Sequence, residues 1–166
     1  MIDSKGSSHS LRDFAGKTVV LEWTNHDCPF VKKHYQGNMQ ALQKEMAAQD
    51  VVWLSVISSA PGKQGHVSPS EADDLTASRN AAPTAVVFDE SGVVGQAYAA
   101  KTTPHMYVID KAGVLQYMGG IDSIPSAKVD DIAKATPLFA NAAKAVLAGE
   151  TPDPAISKPY GCSVKY

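Results

Sequence analysis

Five short apolar runs, each typical of a buried strand, constrain what this chain can fold into. They are KTVVLEW (17–23), VVWLSVI (51–57), APTAVVFD (82–89), HMYVID (105–110) and VLQYMGG (114–120). The runs are rich in β-branched and aromatic residues, and long segments separate the first three. The last two are joined by a three-residue turn, which predicts a hairpin. The sequence therefore predicts one α/β domain with a mixed central sheet flanked by helices.

Three segments between and after these runs are predicted to be helical. The first spans about 29–48, with Gly37-Asn38 as the place where it bends or breaks. The second begins at SPSE (68–71), which has the pattern of a capping box with proline in the first turn. The third begins near Thr136-Pro137 and ends at Gly149. The helices thus alternate with the early strands.

The two ends of the chain differ from the part between them. The polar start MIDSKGSSHS (1–10) is expected to be flexible. The ending ETPDPAISKPYGCSVKY (150–166) carries three prolines and cannot continue the last helix. A chain of 166 residues, 44% hydrophobic, is long enough for one ordinary core. We therefore expect a single domain with an extended tail that packs back on it.

Charge and hydropathy exclude two classes of partner. The formal net charge is -2 and the pI is about 6.2, so no basic field draws the chain to nucleic acid. No stretch approaches the roughly 20 apolar residues of a membrane helix. The start also lacks the apolar centre of a signal peptide. Two locations stay open: periplasmic or exported, if a leader has been removed, and otherwise cytoplasmic.

Cys28 lies where the first strand gives way to a helix, in TNHDCPFVKKHY (24–35). The proline after it suits the first helical turn, which puts Cys28 at the cap, where N–H groups and the helix dipole favour a thiolate. The basic run KKH (32–34) adds positive potential, and Asp27 opposes it. A free cysteine is often a small buried hydrophobe. A polar turn beside a proline favours a redox thiol instead.

The motif WTNxxCPF (23–30) and the later motif TTPHMYVID (102–110) resemble the thioredoxin-like superfamily. The closest group is the bacterial redoxins of the alkyl hydroperoxide reductase/thiol-specific antioxidant proteins. The similarity runs from about residue 11 to residue 166 and includes the ending KPYGCSVKY. It implies a thioredoxin-like fold, a thiol-based antioxidant or oxidoreductase activity without a cofactor, and a cis-proline at Pro104, the kind of residue that takes the cis form at modest cost.

The resemblance also implies which residues form the site. Cys28 would be the nucleophile, and the Thr103 backbone would present a strand-like edge to an incoming substrate chain or thiol. The residues expected to contact substrate are Trp23, Thr24, Pro29, Phe30, Thr103 and Pro104.

Two related patterns are incomplete in this chain. A Cys-X-X-Cys enzyme would carry its second thiol where Val31 stands. A peroxiredoxin would carry Thr or Ser three residues before the cysteine, where Asn25 stands, and an activating arginine. The two arginines, Arg12 and Arg79, are placed by no motif.

Cys162, the second of the two cysteines, is the candidate partner of Cys28. A flexible tail is able to bring it back, and a bridge enclosing residues 29–161 would stabilise the fold by roughly 5 kcal/mol if unstrained. In a redox cycle, Cys28 would attack and Cys162 would resolve. The alternative is a permanent disulfide that pins the tail without turnover.

Glu22 interrupts the apolar run of the first strand. A buried carboxylate is costly unless it is paired or protonated, so Glu22 is a candidate proton acceptor below Cys28. An edge-exposed or strand-end glutamate is an equal alternative. No metal site is predicted, because the candidate ligands match no ligand spacing. Those candidates are His26, Cys28, His34, His105 and Met106.

Two classes of function follow. In the first, the protein is a thiol oxidoreductase that exchanges disulfides or reduces peroxides. Its partners would be protein or small-molecule thiols, disulfides or peroxides, with an external thiol reductant. In the second, it is a non-catalytic binding module with a structural Cys28–Cys162 disulfide. The fold by itself does not choose between them.

Overall fold

Strand β2 (Val19–Trp23) lies at the centre of the sheet in the computed structural model, which describes residues 1–166. It pairs in parallel with β3 (Val52–Ile57) and antiparallel with β6 (His105–Ile109). The sheet also contains β1 (Ile2–Asp3), β4 (Ala85–Phe88) and β7 (Leu115–Gly119), in the order β1-β4-β3-β2-β6-β7. The predicted mixed sheet is confirmed, and each predicted strand is one to three residues shorter at one or both ends.

Two further strands form a separate antiparallel pair beside this sheet. They are β5 (Thr102–Thr103), just before β6, and β8 (Cys162–Ser163), near the end of the chain. This pair brings the tail to the end of β6 that lies closest to Cys28.

Helices cover both faces of the sheet. They are α1 (Pro29–His34), α2 (Asn38–Ala47), α3 (Pro69–Ser78), α4 (Val93–Ala97) and α5 (Leu138–Leu147). The predicted interruption at Gly37 separates α1 from α2, because the positive φ of Gly37, 119°, is incompatible with a continuing helix. The predicted capping box of α3 is also present: the backbone N–H of Ser68 donates to the Glu71 carboxylate at 2.7 Å.

The core lies on the two faces of β2. One face packs against α2 and α5, through residues such as Val20, Trp53 and Phe139. The other face contains Leu21 and Trp23 and packs against α4. Because side chains alternate along a strand, Glu22 shares the first face with Val20. A charged residue is therefore directed into the core beside α2.

The first ten residues correct one expectation. We expected a flexible start, but Ile2 and Asp3 pair antiparallel with Phe88 and Val87 of β4. The Asp3 carboxylate accepts hydrogen bonds from two backbone N–H groups, and it lies 2.7 Å from the ring of His9. The polar composition of the segment thus serves a hydrogen-bonded turn at the sheet edge.

The tail packs back on the domain. The backbone N–H of Ser157 donates to the carbonyl of Met118 at 3.1 Å, beside the last strand of the sheet. The tail then crosses to β5, where β8 forms, and the Tyr166 hydroxyl donates to the carbonyl of Ala100 at 2.8 Å. Its prolines prevent a helix, so its backbone pairs with neighbouring strands instead.

Candidate active site around Cys28 and Cys162

Cys28 occupies the N-cap position of α1, and Pro29 takes the first helical position. The Cys28 residue is fully buried, with 0% of its surface exposed. Its sulphur lies 3.1 Å from the carbonyl oxygen of Thr103, to which the protonated thiol donates. The nucleophile candidate is thus covered by protein on every side.

The Thr103–Pro104 peptide bond is cis, and Thr103 stands next to Cys28. The Cα atom of Thr103 pairs with that of Cys162 across β5 and β8, and Thr102 pairs with Ser163. The edge that the resemblance assigned to an incoming substrate chain is therefore taken by the protein's own tail.

Gly161 permits this close approach. A Cβ at position 161 would overlap the carbonyl oxygen of Thr103, and the φ of Gly161, +135°, disfavours any L side chain. Only glycine lets the tail backbone lie directly on the Thr103 carbonyl. The residue before Cys162 is in this way fixed by the contact that positions the thiol.

The two thiols are free and interact with each other. Burial by itself raises the pKa of Cys28. Hydrogen bonds from the Cys162 side chain and backbone, and from the Val31 backbone, outweigh burial, so the pKa lies below the ordinary 9.0. Burial and the hydrogen bond to Cys28 raise the pKa of Cys162 to about 11. Cys28 is therefore the thiol that ionises first, and Cys162 is its proton-bearing neighbour.

The basic residues after Cys28 do not act as the sequence suggested. Lys32 lies 3.8 Å from the Asp27 carboxylate, and Lys33 is turned into the protein, where its ammonium contacts Asp122 at 3.3 Å. His34 is buried, and burial lowers its pKa to about 4, which leaves the ring neutral near pH 7. The hydrogen bonds to the sulphur, rather than these side chains, favour the thiolate.

Two of the six residues expected to contact substrate lie elsewhere. Trp23 is fully buried in the core, packs on Tyr107, and donates through its indole N–H to Ser58 at 3.0 Å. Thr24 lines a small cavity of about 40 Å³ together with Arg79, and Cys28 is not part of its wall. Trp23 is thus part of the core, and Thr24 faces a cavity that Cys28 does not line.

The other four expected residues surround Cys28. Thr103 and the Pro104 that follows it are buried beside Cys28, and Pro29, the next residue after Cys28, is exposed. Phe30 is half-buried, and its ring packs edge-on against the ring of Tyr160 in the tail, with the two ring centres 5.7 Å apart. The exposed surface next to Cys28 is thus built from α1 and the tail.

Glu22 is fully buried and meets a complete set of donors. Its carboxylate accepts hydrogen bonds from Tyr35 (2.9 Å), Trp53 (2.9 Å) and Ser55 (3.0 Å). Burial raises its pKa, and these hydrogen bonds only partly counteract that effect. The alternative of an exposed glutamate is wrong. Cys28 is not among the hydrogen-bond partners of this carboxylate, so any proton exchange between the two is indirect.

The histidines do not converge. His34 lies in a cluster with Asp122, His105 contacts Tyr107, and His26 lies beside Asp27. No group of three or more His, Cys, Asp or Glu side chains is arranged to hold a metal ion. None of the helices has the length and hydropathy that a bilayer span requires.

Residues 1–118 match the sequence profile of the AhpC/TSA family, which covers more than half of the chain. The chain belongs to the AhpC/TSA family. The part of this AhpC/TSA protein that contains Cys162 lies beyond the matched residues. No curated protein matches the chain.

Solved structures confirm the thioredoxin-like fold of this AhpC/TSA protein. An uncharacterized conserved protein from Geobacillus kaustophilus is 22% identical, with a TM-score of 0.80, over 100% of this chain and 87% of that one. A hypothetical protein from Sinorhizobium meliloti 1021 is 19% identical, with a TM-score of 0.81, over 100% and 89%. A secreted Mycobacterium tuberculosis disulfide oxidoreductase homologous to E. coli DsbE is 16% identical, with a TM-score of 0.54, over 69% and 77%.

One cluster of the AhpC/TSA protein was not predicted. The buried side chains of Lys33, His34 and Asp122 surround the hydroxyl of Tyr160, two residues before Cys162. The sequence predicts that the basic run KKH (32–34) adds positive potential at Cys28, and it assigns no role to Tyr160 in the ending KPYGCSVKY. No local pattern connects these positions, because Lys33 is 89 residues from Asp122 and 127 residues from Tyr160 in the chain.

Proposed function

We propose that this protein is a thiol oxidoreductase that cycles between a dithiol and a Cys28–Cys162 disulfide. One observation carries the proposal: β8 holds Cys162 against the Cys28 sulphur while both thiols are free. A second thiol at that place does the work of the absent thiol at position 31. Family membership supports thiol-based redox chemistry.

Thiol–disulfide exchange is the reaction that the site supports best. The Cys28 thiolate attacks one sulphur of a substrate disulfide, forms a mixed disulfide and releases the other sulphur as a thiolate. Cys162, once deprotonated, attacks Cys28 in the mixed disulfide and releases the second substrate thiolate. An external dithiol then reduces the Cys28–Cys162 bond. None of these steps needs a cofactor, because each is an exchange between a thiolate and a disulfide.

Peroxide reduction is the second candidate, because the resemblance to alkyl hydroperoxide reductase and thiol-specific antioxidant proteins implies it and the chain belongs to the AhpC/TSA family. In that reaction the Cys28 thiolate attacks one peroxide oxygen and releases an alcohol or water, and Cys162 condenses with the sulfenic acid to form the disulfide and water. The surroundings of Cys28 favour it less. The Arg79 guanidinium lies over the ring of Tyr35 and donates to the carbonyl of His26, so it is engaged away from the sulphur.

The non-catalytic alternative has weaker support in the fold. The tail is attached by the β5–β8 pairing, by Tyr160 and by Tyr166, none of which requires a covalent bond. The docked position of the tail therefore does not depend on a covalent bond, although a permanent disulfide would still restrict the unfolded chain. A cysteine pair at this place is better explained by chemistry than by the need for a staple.

Turnover with matched cysteine variants tests the proposal. The reduced wild type, Cys28→Ser and Cys162→Ser are each mixed with oxidised glutathione, with a dithiol reductant to measure turnover and without it to trap the adducts. We expect multiple turnovers for the wild type, one trapped mixed disulfide per chain for Cys162→Ser, and no reaction for Cys28→Ser. Mass spectrometry identifies the adducts. Undiminished turnover by Cys162→Ser would remove its resolving role, and a wild-type disulfide that resists dithiols would favour the staple.

The same variants decide between the two reactions when hydrogen peroxide replaces the disulfide. Thiol–disulfide exchange predicts that the wild type reacts much faster with the disulfide than with the peroxide. The opposite order, with a sulfenic acid trapped on Cys28 in Cys162→Ser, would establish peroxide reduction.

We also propose an exported location. A structural neighbour is a secreted disulfide oxidoreductase, and disulfide chemistry persists in oxidising compartments. Cell fractionation of the natural gene product tests this, and recovery from the cytoplasm alone would contradict it.

A further inference from the structure

The tail covers Cys28 and at the same time occupies the edge of β5. Cys28 is fully buried, whereas Cys162 above it is only half-buried. On that edge Thr103 pairs with Cys162 of β8 and Thr102 pairs with Ser163. Any external disulfide or peroxide must reach a sulphur that the tail encloses. The tail therefore has to leave before Cys28 reacts, and it has to return before Cys162 resolves.

The buried cluster beside α1 fastens the tail next to this point. The Tyr160 hydroxyl donates to the Asp122 carboxylate at 2.6 Å and accepts from the Lys33 ammonium at 3.2 Å. The ring of His34 lies 3.1 Å from the same hydroxyl through Nε2. Asn38 contacts the other ring nitrogen, Nδ1, at 2.8 Å, and its amide is a donor there, which leaves Nε2 to carry the proton. Each polar atom around the hydroxyl thus has a partner.

Both charges of this cluster belong to the domain, and Tyr160 is the member contributed by the tail. Lys33 and Asp122 lie 3.3 Å apart with side chains 0% and 6% exposed. Their ion pair does not include the tail, so the domain supplies the acceptor for the Tyr160 hydroxyl. The centre of the Tyr160 ring lies 5.7 Å from the centre of the Phe30 ring and 5.5 Å from Nζ of Lys33, which adds apolar and cation–π contact. Tyr160 is thus a side-chain anchor of the tail beside α1, in addition to the β5–β8 pairing and the Tyr166 hydroxyl.

We propose that Lys33, His34, Asp122 and Tyr160 form a latch that holds the tail over Cys28 and sets how often Cys28 is open to substrate. The proposal rests on the proposed function, because the latch controls the two half-reactions of that cycle. Tyr160 is a positioning residue: it acts on Cys28 and Cys162 through the tail backbone. The open latch admits the external oxidant to Cys28, and the closed latch brings Cys162 to the mixed disulfide.

Alkylation of Cys28 by iodoacetamide measures how often the latch opens. All proteins carry Cys162→Ser, so Cys28 is the single cysteine, and labelling needs no turnover. We expect Tyr160→Phe to label Cys28 about 10-fold faster or more than the parent, because losing a hydrogen bond to a buried carboxylate shifts a local opening equilibrium by that order. The matched control is Tyr98→Phe, whose hydroxyl forms no hydrogen bond and which should label at the parent's rate.

Hydrogen exchange separates the latch from general loosening of the fold. The backbone N–H of Val164 donates to the carbonyl of Lys101 in the docked tail. In Tyr160→Phe this amide should exchange faster, while amides of β2 exchange as in the parent. Equal labelling rates for Tyr160→Phe and Tyr98→Phe, or equal acceleration of exchange in β2, would overturn the latch.

A second measurement uses proteins that retain Cys162. After one equivalent of oxidised glutathione, Tyr160→Phe should form the internal disulfide from the mixed disulfide several-fold more slowly than Tyr98→Phe. Faster labelling together with slower resolution is the signature of the latch. If labelling and exchange change as expected but no variant turns over, the proposed function fails and the latch stands.

Discussion

The Cα atom of Cys162 lies opposite that of Thr103 in the antiparallel pair of β5 and β8. The second thiol therefore reaches Cys28 through backbone pairing in a fixed register. A shift of one residue along this pair would turn the Cys162 side chain to the other face. Gly161, which has no Cβ to meet the Thr103 carbonyl, keeps the two backbones close enough for that register.

The first prediction concerns the acidity of Cys28. The Cys162 side chain is the strongest hydrogen-bonding influence that lowers the pKa of Cys28. Replacing Cys162 with alanine removes this donor, so the pKa of Cys28 should rise. Serine keeps a hydroxyl donor at the same place, so Cys162→Ser should raise it less. The ultraviolet absorbance of the thiolate as a function of pH measures both values, and an unchanged pKa in Cys162→Ala would show that the side chain is not responsible.

The second prediction concerns the close approach at Gly161. Alanine there would overlap the Thr103 carbonyl, so Gly161→Ala should undock the tail and slow formation of the internal disulfide by about 10-fold or more. Gly113→Ala is the matched control: its φ is also positive, +80°, but nothing lies within 4 Å of the added Cβ.

The control should cost about 1–2 kcal/mol of unfolding free energy from backbone strain alone and leave the disulfide rate unchanged. Stopped-flow fluorescence with one equivalent of oxidant compares the rates. Similar rates for the two alanine variants would show that strain, and not contact with Thr103, is what matters.

The third prediction concerns Glu22 and pH. Burial raises the pKa of Glu22 above its ordinary 4.5, so the folded state holds the proton more tightly than the unfolded chain. As the pH rises above 4.5, the unfolded chain ionises first and the free energy of unfolding falls, by up to about 1.4 kcal/mol per pH unit, until the folded-state pKa is passed. Glu22→Gln cannot ionise and should lack this decline.

Urea unfolding at a series of pH values measures the effect. The difference in unfolding free energy between Glu22→Gln and the wild type should move in favour of the glutamine variant as the pH rises through that window. A difference that stays constant with pH would mean that Glu22 does not titrate with a raised pKa. The absolute stability of the variant is a separate matter, because glutamine accepts fewer of the hydrogen bonds from Trp53, Tyr35 and Ser55.

The fourth prediction concerns His34 in the latch. Burial lowers the pKa of His34 from 6.5 to about 4. Between these two pH values the imidazole is protonated in the unfolded chain and neutral in the folded protein. Stability should therefore be complete above pH 6.5 and fall as the pH drops from 6.5 to 4, with His34 contributing about 3 kcal/mol at most. Burial also lowers the pKa of His105 to about 4, so His105 adds a second contribution to the loss of stability at low pH. His34→Gln should remove the contribution of His34 to this decline and leave that of His105. The free energy of unfolding, measured with urea at a series of pH values, should then fall less steeply below pH 6.5, and an unchanged pH dependence would contradict the assignment.

The sequence alone determined the elements that depend on neighbours along the chain. The five strands follow from short β-branched runs, the break before α2 from Gly37, and the start of α3 from the Ser68–Glu71 box. The position of Cys28 at the cap of α1 follows in the same way from a strand that ends just before a proline. Each is decided by backbone conformation and hydrogen bonds within a few residues, which local sequence encodes.

The tertiary structure alone decided which polar groups are buried and with what partners. Lys33 and His34 face Asp122 and Tyr160 across the fold and do not face the thiol. Glu22 is buried because Tyr35, Trp53 and Ser55 come from other segments to satisfy it. The tail reaches Cys28 in a register set by contacts with β5. Burial of a charge is tolerable only with partners in place, and partners that are distant in the chain leave no local pattern by which to find them.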